Sequence, residues 1–554
     1  MDQNISNYVK INALVVGFGF SGAGAALAFL AHDETAKIKV IEKGAKGDHH
    51  GLDHRDGKSS QGGRRGSRKA SQNEKVAQGI DMTSFLLESL QEETKIDIIG
   101  RTDNDKHPYF MMMPREQLES FLQHLIARPD KNGKVPLLGN KEKIYRVYDP
   151  TEVKERFGIN IPHDYVAVNT LESRLIHTNN YMQAATKKIE AASKNPGDDN
   201  DNIKYETSIV DYVKLKGGGH LVELSDGNKY HVDNLVLAPG MEGPETLKKL
   251  TEMHETNRLN PQLAASLKME FAPPARMPEE FKQENLLEIR QQVIEVIGPE
   301  RDPKSGSVRK PTLADLKRRE SEKENRIEPT VYYLDVVQDV EVVRKVINDK
   351  GELEKRKETE KWKGLLGFYM FPVKVKAKVW DEETSQHVEY ETLGFKIGFD
   401  PMRCTVENPE LYEKQVDMML RHLSETFGVK FAREHIVNST NCRYYIGKKR
   451  HHTRVGFIDL FTEEETVAIT TLADKHDTLA VLNPEGYGPM LVGGAVFLAL
   501  KGEQAIVGPD SPFNPHKPPE EAEVMALESI FRPDATMAAA PSDGRSYGRN
   551  LERS

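Results

Sequence analysis

Two cysteines, Cys404 and Cys442, are all that 554 residues contain. That excludes a disulfide framework and points to a reducing compartment. Positive charge is not in excess either: 77 Lys and Arg stand against 86 Asp and Glu, leaving a net charge of -9. Such a balance gives no electrostatic footprint for nucleic acid. No apolar run is long enough to span a bilayer. The first residues, Met1-Asp2-Gln3-Asn4, lack the basic and apolar regions of a secretory signal. Together these absences predict a soluble, cytoplasmic protein with neither a nucleic-acid nor a membrane partner; they leave its oligomeric state open. The length exceeds one ordinary core, so two or more domains are expected.

What is present is concentrated near the start. The apolar run Ile11–Val16 empties into Gly17-Phe18-Gly19-Phe20-Ser21-Gly22, and a small-residue helix follows through Leu30. Next comes Lys37–Glu42, a second strand ending in an acid. This is the dinucleotide fingerprint in its strand–helix–strand context. Gly17 permits the tight turn, Gly19 lets backbone approach a pyrophosphate, and Gly22 lets the helix lie close on the strand. The helix N-terminus faces the negative charge, and Glu42 is placed to accept hydrogen bonds from an adenosine ribose. A bound dinucleotide is the expectation.

Residues 44–75 read as a long polar loop containing Ser59-Ser60-Gln61-Gly62-Gly63-Arg64-Arg65-Gly66-Ser67-Arg68. Loops of this length inside a domain are functional or disordered. Its guanidinium groups suit phosphate or carboxylate, although composition alone favours a solvated basic loop. His49, His50 and His54 have no patterned acid or cysteine beside them, so no metal is expected. Helices are predicted at Met82–Glu93 and Arg115–Ile126, with a strand at Lys95–Ile99. Asp149–Phe157 reads as a capped helix with proline in its first turn, and Thr178–Ala192 as another helix. Strands at Ser208–Leu215, Gly219–Ser225 and Lys229–Leu237 end in Ala238-Pro239-Gly240, a turn that would bring backbone back to the cofactor.

The stretch 245–330 reads as an insertion with mobile parts. Leu286, Ile289, Val293 and Val296 share one face of a predicted helix there, and the charged run Gly298–Glu328 reads as solvated. Strands return at Thr330–Val337, Gly367–Val379 and His387–Gly398. Alternation in Val373–Val379 predicts an antiparallel sheet with one wet face. A helix at Tyr412–Thr426 follows, then a strand at Val455–Leu460. Near the end, a strand at Thr478–Leu482, the loop Gly486-Tyr487-Gly488 and a small-residue helix from Met490 to Leu500 offer a second helix N-terminus to a ligand. The composition of 509–554 predicts a poorly ordered tail.

Several of these stretches, in the same order along the chain, resemble the FAD-dependent amine oxidases of the monomeric sarcosine oxidase type in the D-amino-acid oxidase superfamily. Ser59–Arg68 is similar to that family's Ser-Ser-His-Gly-x-x-Arg-x-x-Arg, and Leu393–Phe399 to its Gly-Leu-Lys-x-Gly-Tyr-His. Gly367–Pro372, Cys442-Arg443-Tyr444 and the Gly486 loop continue the match. The resemblance implies an α/β protein in which a Rossmann-type FAD-binding domain (1–80, 165–245 and 430–508) is interleaved with an antiparallel-sheet substrate domain (81–164 and 246–429). It also implies oxidation of an amine C–N bond to an imine, by hydride transfer from substrate carbon to FAD, with oxygen as acceptor.

Residue by residue, the resemblance implies that Lys396 sits over the flavin and helps activate oxygen. Arg65 and Arg68 lie near the flavin and a substrate carboxylate, and Cys442 matches the cysteine able to carry a covalent flavin. Gly17, Gly19, Gly22, Glu42, Ser60, Gly240, Gly486 and Gly488 fall on the cofactor; Arg443, Asp400 and Tyr369 fall on the substrate. By pattern alone, a lysine in a strand faces solvent and a single cysteine fills a core. Three departures matter. Gln61 and Asp400 stand where the family has histidine, and Met490 where sarcosine oxidase has a lysine for the substrate carboxylate. Those changes point away from sarcosine and toward a larger secondary, cyclic or N-substituted amino acid. The alternatives are an NAD(P)H-dependent flavin monooxygenase and a flavin-binding protein without turnover.

Overall fold

The computed structural model describes residues 7–46, 60–63, 74–99, 107–118, 145–170, 174–192, 201–275, 286–302, 305–322, 329–333, 337–347, 353–363, 368–399, 409–447, 456–458, 478–482 and 492–500. The first sheet forms around β1 (Val9–Val16), whose Val-rich end is shielded on both faces. It pairs in parallel with β2 (Ile38–Ile41) on one side and β11 (Lys229–Leu237) on the other. β8 (Ile203–Lys204) and β22 (Thr478–Leu482) extend the parallel run at either end, and β21 (Gly456–Ile458) closes it antiparallel to β22. β9 (Ile209–Lys214) and β10 (His220–Leu224) form an antiparallel meander off β11.

Pleat alternation divides the apolar residues between two layers. Ala13, Val15, Ile38, Val40 and Val236 face one layer, made of α1 (Phe20–His32), α2 (Glu74–Thr94), α4 (Thr178–Ala191) and α9 (Val492–Leu500). Leu14, Ile41, Leu235 and Leu237 face the other, under α5 (Gly243–Arg258). Small residues let α1 and α9 cross closely: a Cβ on Gly24 would come within 3.2 Å of the Gly493 backbone nitrogen.

The second sheet runs β20 (Ile436–Gly447), β12 (Leu286–Val296), β19 (Gln386–Phe399), β18 (Phe368–Asp381), β15 (Thr330–Tyr333), β4 (Tyr109–Pro114), β6 (Tyr165–Thr170), β5 (Tyr145–Tyr148). Its pairings are antiparallel except β15 with β4. One face packs on α3 (Pro150–Phe157) and α8 (Pro409–Phe427), the other on α7 (Leu313–Ser321). On β18 the expected alternation appears, with Lys374, Lys376 and Lys378 exposed between buried Val373, Val375, Ala377 and Val379. Helix α3 is capped as the sequence foretells: the Asp149 carboxylate accepts from the Glu152 N–H at 2.9 Å, and Gly158 ends it at φ 67°.

Several expectations are corrected. Leu286–Val296 is not a helix but β12, a central strand; its flanks β19 and β20 supply the ladder that a helix would have to make internally. It is therefore part of the second sheet and no insertion. The loop 44–75 contains a short strand, β3 (Ser60–Gly63), paired antiparallel with β7 (Arg174–His177). Lys95–Ile99 contributes only a bridge from Ile99 to Ile176, because the Gln91 side chain takes the Ile98 and Ile99 N–H groups at 2.8 Å each. The sheets also cut the chain differently from the expected boundaries. Tyr165–Thr170 and Ile436–Gly447 pair in the second sheet, whereas α2 buries Leu86, Leu87 and Leu90 beside the first. The antiparallel pair β16 (Val337–Ile347) and β17 (Leu353–Lys363) had no counterpart in the sequence reading.

The charged run after Gly298 is not simply solvated. The hairpin β13 (Glu300–Arg301) and β14 (Val308–Arg309) is tied to α7 through Arg319, which donates to Glu300 at 2.7 Å and to the Gly298 and Pro299 carbonyls at 2.8 Å each. Arg309 reaches Asp315 at 2.6 Å, and that carboxylate also caps α7 through Thr312. Burial pushes the Asp315 carboxyl up, but the Thr312 N–H and the Arg309 guanidinium together outweigh it and hold the group below the usual carboxylate range. Arg319→Ala is expected to destabilise the protein by about 2 kcal/mol, since it strips charge-assisted bonds from two half-buried carbonyls and a carboxylate. Urea denaturation measures it.

A second stability expectation concerns α8. His422 is largely covered, its side chain 12% exposed, with its ring edge-on to Phe368 at 4.3 Å between centroids. Burial, and after it the neighbouring Arg421, push its imidazole down to about 3 from 6.5. The folded chain thus keeps His422 neutral at a pH where the unfolded chain protonates it. Stability is complete above pH 6.5 and falls as pH drops toward the folded value, by about 1.4 kcal/mol per unit. Denaturation midpoints at pH 7 and 5.5 are expected to separate in the wild type and to draw together in His422→Leu.

Candidate functional site

The fingerprint folds into a turn in which each glycine has its own reason. Gly17 has φ +94°, and a Cβ there would overlap the Ala238 carbonyl oxygen. Its N–H donates to the Ile41 carbonyl at 2.8 Å, and the Ala238 N–H donates to Val16 at 2.7 Å. The turn is thereby clamped between β2 and the end of β11. A Cβ on Gly22 would run into the Gly17 carbonyl oxygen, so α1 can approach the strand only with glycine there. Gly19 differs: a Cβ on it would meet no protein atom within 4 Å. It is the N-cap of α1, and no side chain caps that helix among the described residues. An open glycine at an uncapped helix N-terminus is the cradle a pyrophosphate requires.

Glu42 stands at the end of β2. Its two carboxylate oxygens accept from the Phe18 N–H at 2.7 Å and the Gly44 N–H at 3.0 Å. Those bonds lock the carboxylate against the glycine turn and leave each oxygen a further lone pair for ribose hydroxyls. Gly240 follows β11 with φ +59° and begins the turn Gly240–Glu242. Lys43, next to Glu42, reaches Glu242 at 3.0 Å, so the segments that follow β2 and β11 meet across the end of β1. The residues present fit the adenylate half of a dinucleotide.

The second sheet supplies the other expected positions. Lys396, on β19, is 2% exposed. Phe371 of β18 lies directly opposite on one side, and Glu295 of β12 on the other. One row along, Tyr369 faces Gly398; a Cβ at 398 would overlap the tyrosine ring. That absence lets Tyr369 lie across the strand, stacked on Phe371 with centroids 5.2 Å apart. Burial thus overturns the pattern-based reading of Lys396 as a solvent-facing residue.

Cys442 and Arg443 are on β20, in register with Gln291 and Arg290. The register puts position 442 on the same side of the pleat as Glu295 and Lys396. β20 passes close to the Gly240–Glu242 turn, and β3 close to β18. Ser60 pairs with His177, whose imidazole is pushed below its ordinary range by burial and by Lys374, with Asp97 opposing. Gly17, Gly19, Gly22, Glu42 and Gly240 are therefore one constellation; Lys396, Tyr369 and position 442 belong to one sheet face. Arg65, Arg68, Asp400, Gly486, Gly488 and Met490 lie outside the described residues. Among the described residues no cluster of His, Cys, Asp and Glu has the makings of a metal site, and no helix is long and apolar enough to cross a membrane.

Glu295 escaped the sequence reading: the spacing that suggested a helix over 286–296 concealed it, and only strand register places it between Lys396 and Asn438.

No protein-family model and no curated protein sequence matches the chain. Solved structures do. The open form of NikD, described as an unusual amino acid oxidase essential for nikkomycin biosynthesis, aligns with a TM-score of 0.50 at 13% identity, over 91% of this chain and 97% of that one. Glycine oxidase from Geobacillus kaustophilus aligns at 0.46 and 11% identity over 92% and 100% of the two chains. L-proline dehydrogenase from P. horikoshii gives 0.47 and 11% over 91% and 98%. At such identities the likeness speaks for architecture: this chain has a mixed α/β fold of several sheets that matches the fold of NikD.

Proposed function

We propose that this chain is an FAD-dependent oxidoreductase that oxidises the C–N bond of a secondary, cyclic or N-substituted amino acid to an imine, with oxygen as the electron acceptor. The observation that carries the reading is the cradle of Gly17, Gly19, Gly22 and Glu42, in a fold shared with an amino acid oxidase. In this reading the segments of the first sheet form the nucleotide-binding part, and those of the second form the substrate part. Glu42 holds the adenosine ribose, the α1 N-terminus and Gly19 hold the pyrophosphate, and Ser60 and Gly240 border the cofactor. FAD, when bound, supplies the hydride acceptor. The protein's share is to bind, orient and exclude water. Lys396 presents a buried cation toward the flavin, Tyr369 walls the substrate, and Arg65, Arg68, Arg443 and Asp400 meet its charged groups. Water then hydrolyses the released imine.

The absorbance spectrum of the purified protein, followed by anaerobic mixing with N-alkyl and cyclic amino acids, tests this. A flavin band that the amines bleach, and that air restores with formation of peroxide, is the expected result. Bleaching by NADPH instead would establish a monooxygenase; photoreduction without bleaching by any amine would establish a flavin carrier. Acid precipitation reads the link at Cys442. If it is covalent, colour stays in the pellet of the wild type and moves to the supernatant in Cys442→Ser.

A further inference from the structure

The chain leaves the first sheet through α5. A short helix follows, α6 (Pro261–Leu267), and then a segment, 269–273, that lies along β9. The Ala272 N–H donates to the Lys214 carbonyl at 2.9 Å, the Lys216 N–H donates to the Glu270 carbonyl at 3.0 Å, and Phe271 bridges to Leu215. The next strand along the chain is β12, in the second sheet. His254 of α5 is buried where helix, strand and outgoing segment meet. Its Nδ1 accepts from the Lys214 N–H at 3.3 Å, and its Nε2 donates to the Pro273 carbonyl at 3.1 Å.

Those two partners dictate where the proton is. A backbone N–H can only donate and a carbonyl can only accept, so the ring is neutral and carries its hydrogen on Nε2. A second proton would set N–H against N–H at Nδ1. Charged and titratable groups surround the ring on every side. On its own helix, Glu255 is held by Arg258 at 2.7 Å. β9 brings Lys214, Tyr212 and Asp211, the last bonded to Asn257; β10 brings His220; the outgoing segment brings Glu270, bonded to Lys216. Burial lowers His254 from its ordinary value and Arg258 adds to that, while the Pro273 bond and Glu255 oppose it. His220 is placed differently. Its Nδ1 meets the Tyr212 hydroxyl at 3.0 Å, and a hydroxyl can turn to accept, so that contact survives a second proton.

We propose that His254 is an acid-released latch: neutral, it fastens onto β9 the segment that leads to the second sheet; on gaining a proton it gives up the Lys214 bond and that segment loosens. Release returns the imidazole to its ordinary value of 6.5, so each pH unit below 6.5 favours the open form by up to tenfold.

Hydrogen exchange of the full chain at pH 7.5 and 5.5, corrected for the intrinsic pH dependence of exchange, tests the latch. Protection of the Lys214, Lys216 and Ala272 amides is expected to fall about tenfold in the wild type. His254→Gln is the decisive variant, because an amide accepts through its oxygen, donates through its nitrogen and binds no proton in this range. Its protection at the same amides is expected to change by less than about twofold. His422 titrates in the same range and acts on both chains alike, so the difference between them isolates His254. A wild type whose protection does not fall overturns the proposal. So does an undiminished fall in His254→Gln, which would assign the proton to His220 or another neighbour. Should His254→Gln fail to fold, the wild type still decides. Loss confined to 209–218 and 268–274, with β1 still protected, supports the latch; equal loss in β1 is unfolding of the whole sheet and overturns it.

Discussion

Gly22→Val is expected to yield a protein that binds no flavin and melts well below the wild type. A Cβ at that position would overlap the Gly17 carbonyl oxygen and approach the Val15 side chain at 3.4 Å. The obstructing atom is backbone, and the turn that carries it is held by the Gly17 N–H bond to Ile41 and the Ala238 N–H bond to Val16, so it has little room to move. Overpacking a core costs about 1–3 kcal/mol where side chains can shift. Here α1 must lift off the sheet, and a loss at or above the top of that range is expected. Gly19→Ala is the informative companion. Its methyl meets no protein atom, so the fold is expected to hold while the methyl intrudes where the pyrophosphate would lie. Thermal melts and ADP titrations of the two variants separate the effects. Gly22→Val loses stability and binding together; Gly19→Ala loses binding by about tenfold or more with an unchanged melt. Wild-type ADP affinity in Gly19→Ala would show that the open side of the turn is not where the anion sits.

Lys396→Met is expected to slow reoxidation of the flavin by oxygen on the order of 10²–10³-fold, the usual cost of removing one preorganised electrostatic group. Reduction of the flavin by the amine is expected to stay within about twofold of wild type, a split between the half-reactions that general damage to the fold does not produce. Stopped-flow measurement of both half-reactions checks it. Unchanged reoxidation would make Lys396 a structural charge and leave the chain a dehydrogenase with another acceptor.

Local chemistry was legible wherever one residue type answers one geometric demand. The glycines at 17 and 22 are each required by a named backbone oxygen, and Asp149, Pro150 and Gly158 punctuate α3 at both ends. β18 was legible because one of its faces is wet, so lysine alternates with valine. β12 was not. Covered by helices on both faces of its sheet, it keeps apolar residues on both sides, and Leu286, Ile289, Val293 and Val296 fall by accident at helical intervals. β3 was missed for a different reason: Ser60–Gly63 has no strand propensity and is extended only because β7 lies beside it.

The sequence by itself determined the nucleotide cradle, because a glycine turn, a helix start and an acid at the end of the adjacent strand are all set within the first 42 residues. Only the tertiary structure decided what surrounds Lys396. Its cross-strand neighbours Phe371 and Glu295 come from two other strands far apart in the chain, and strand register, which no local pattern encodes, is what sets them side by side.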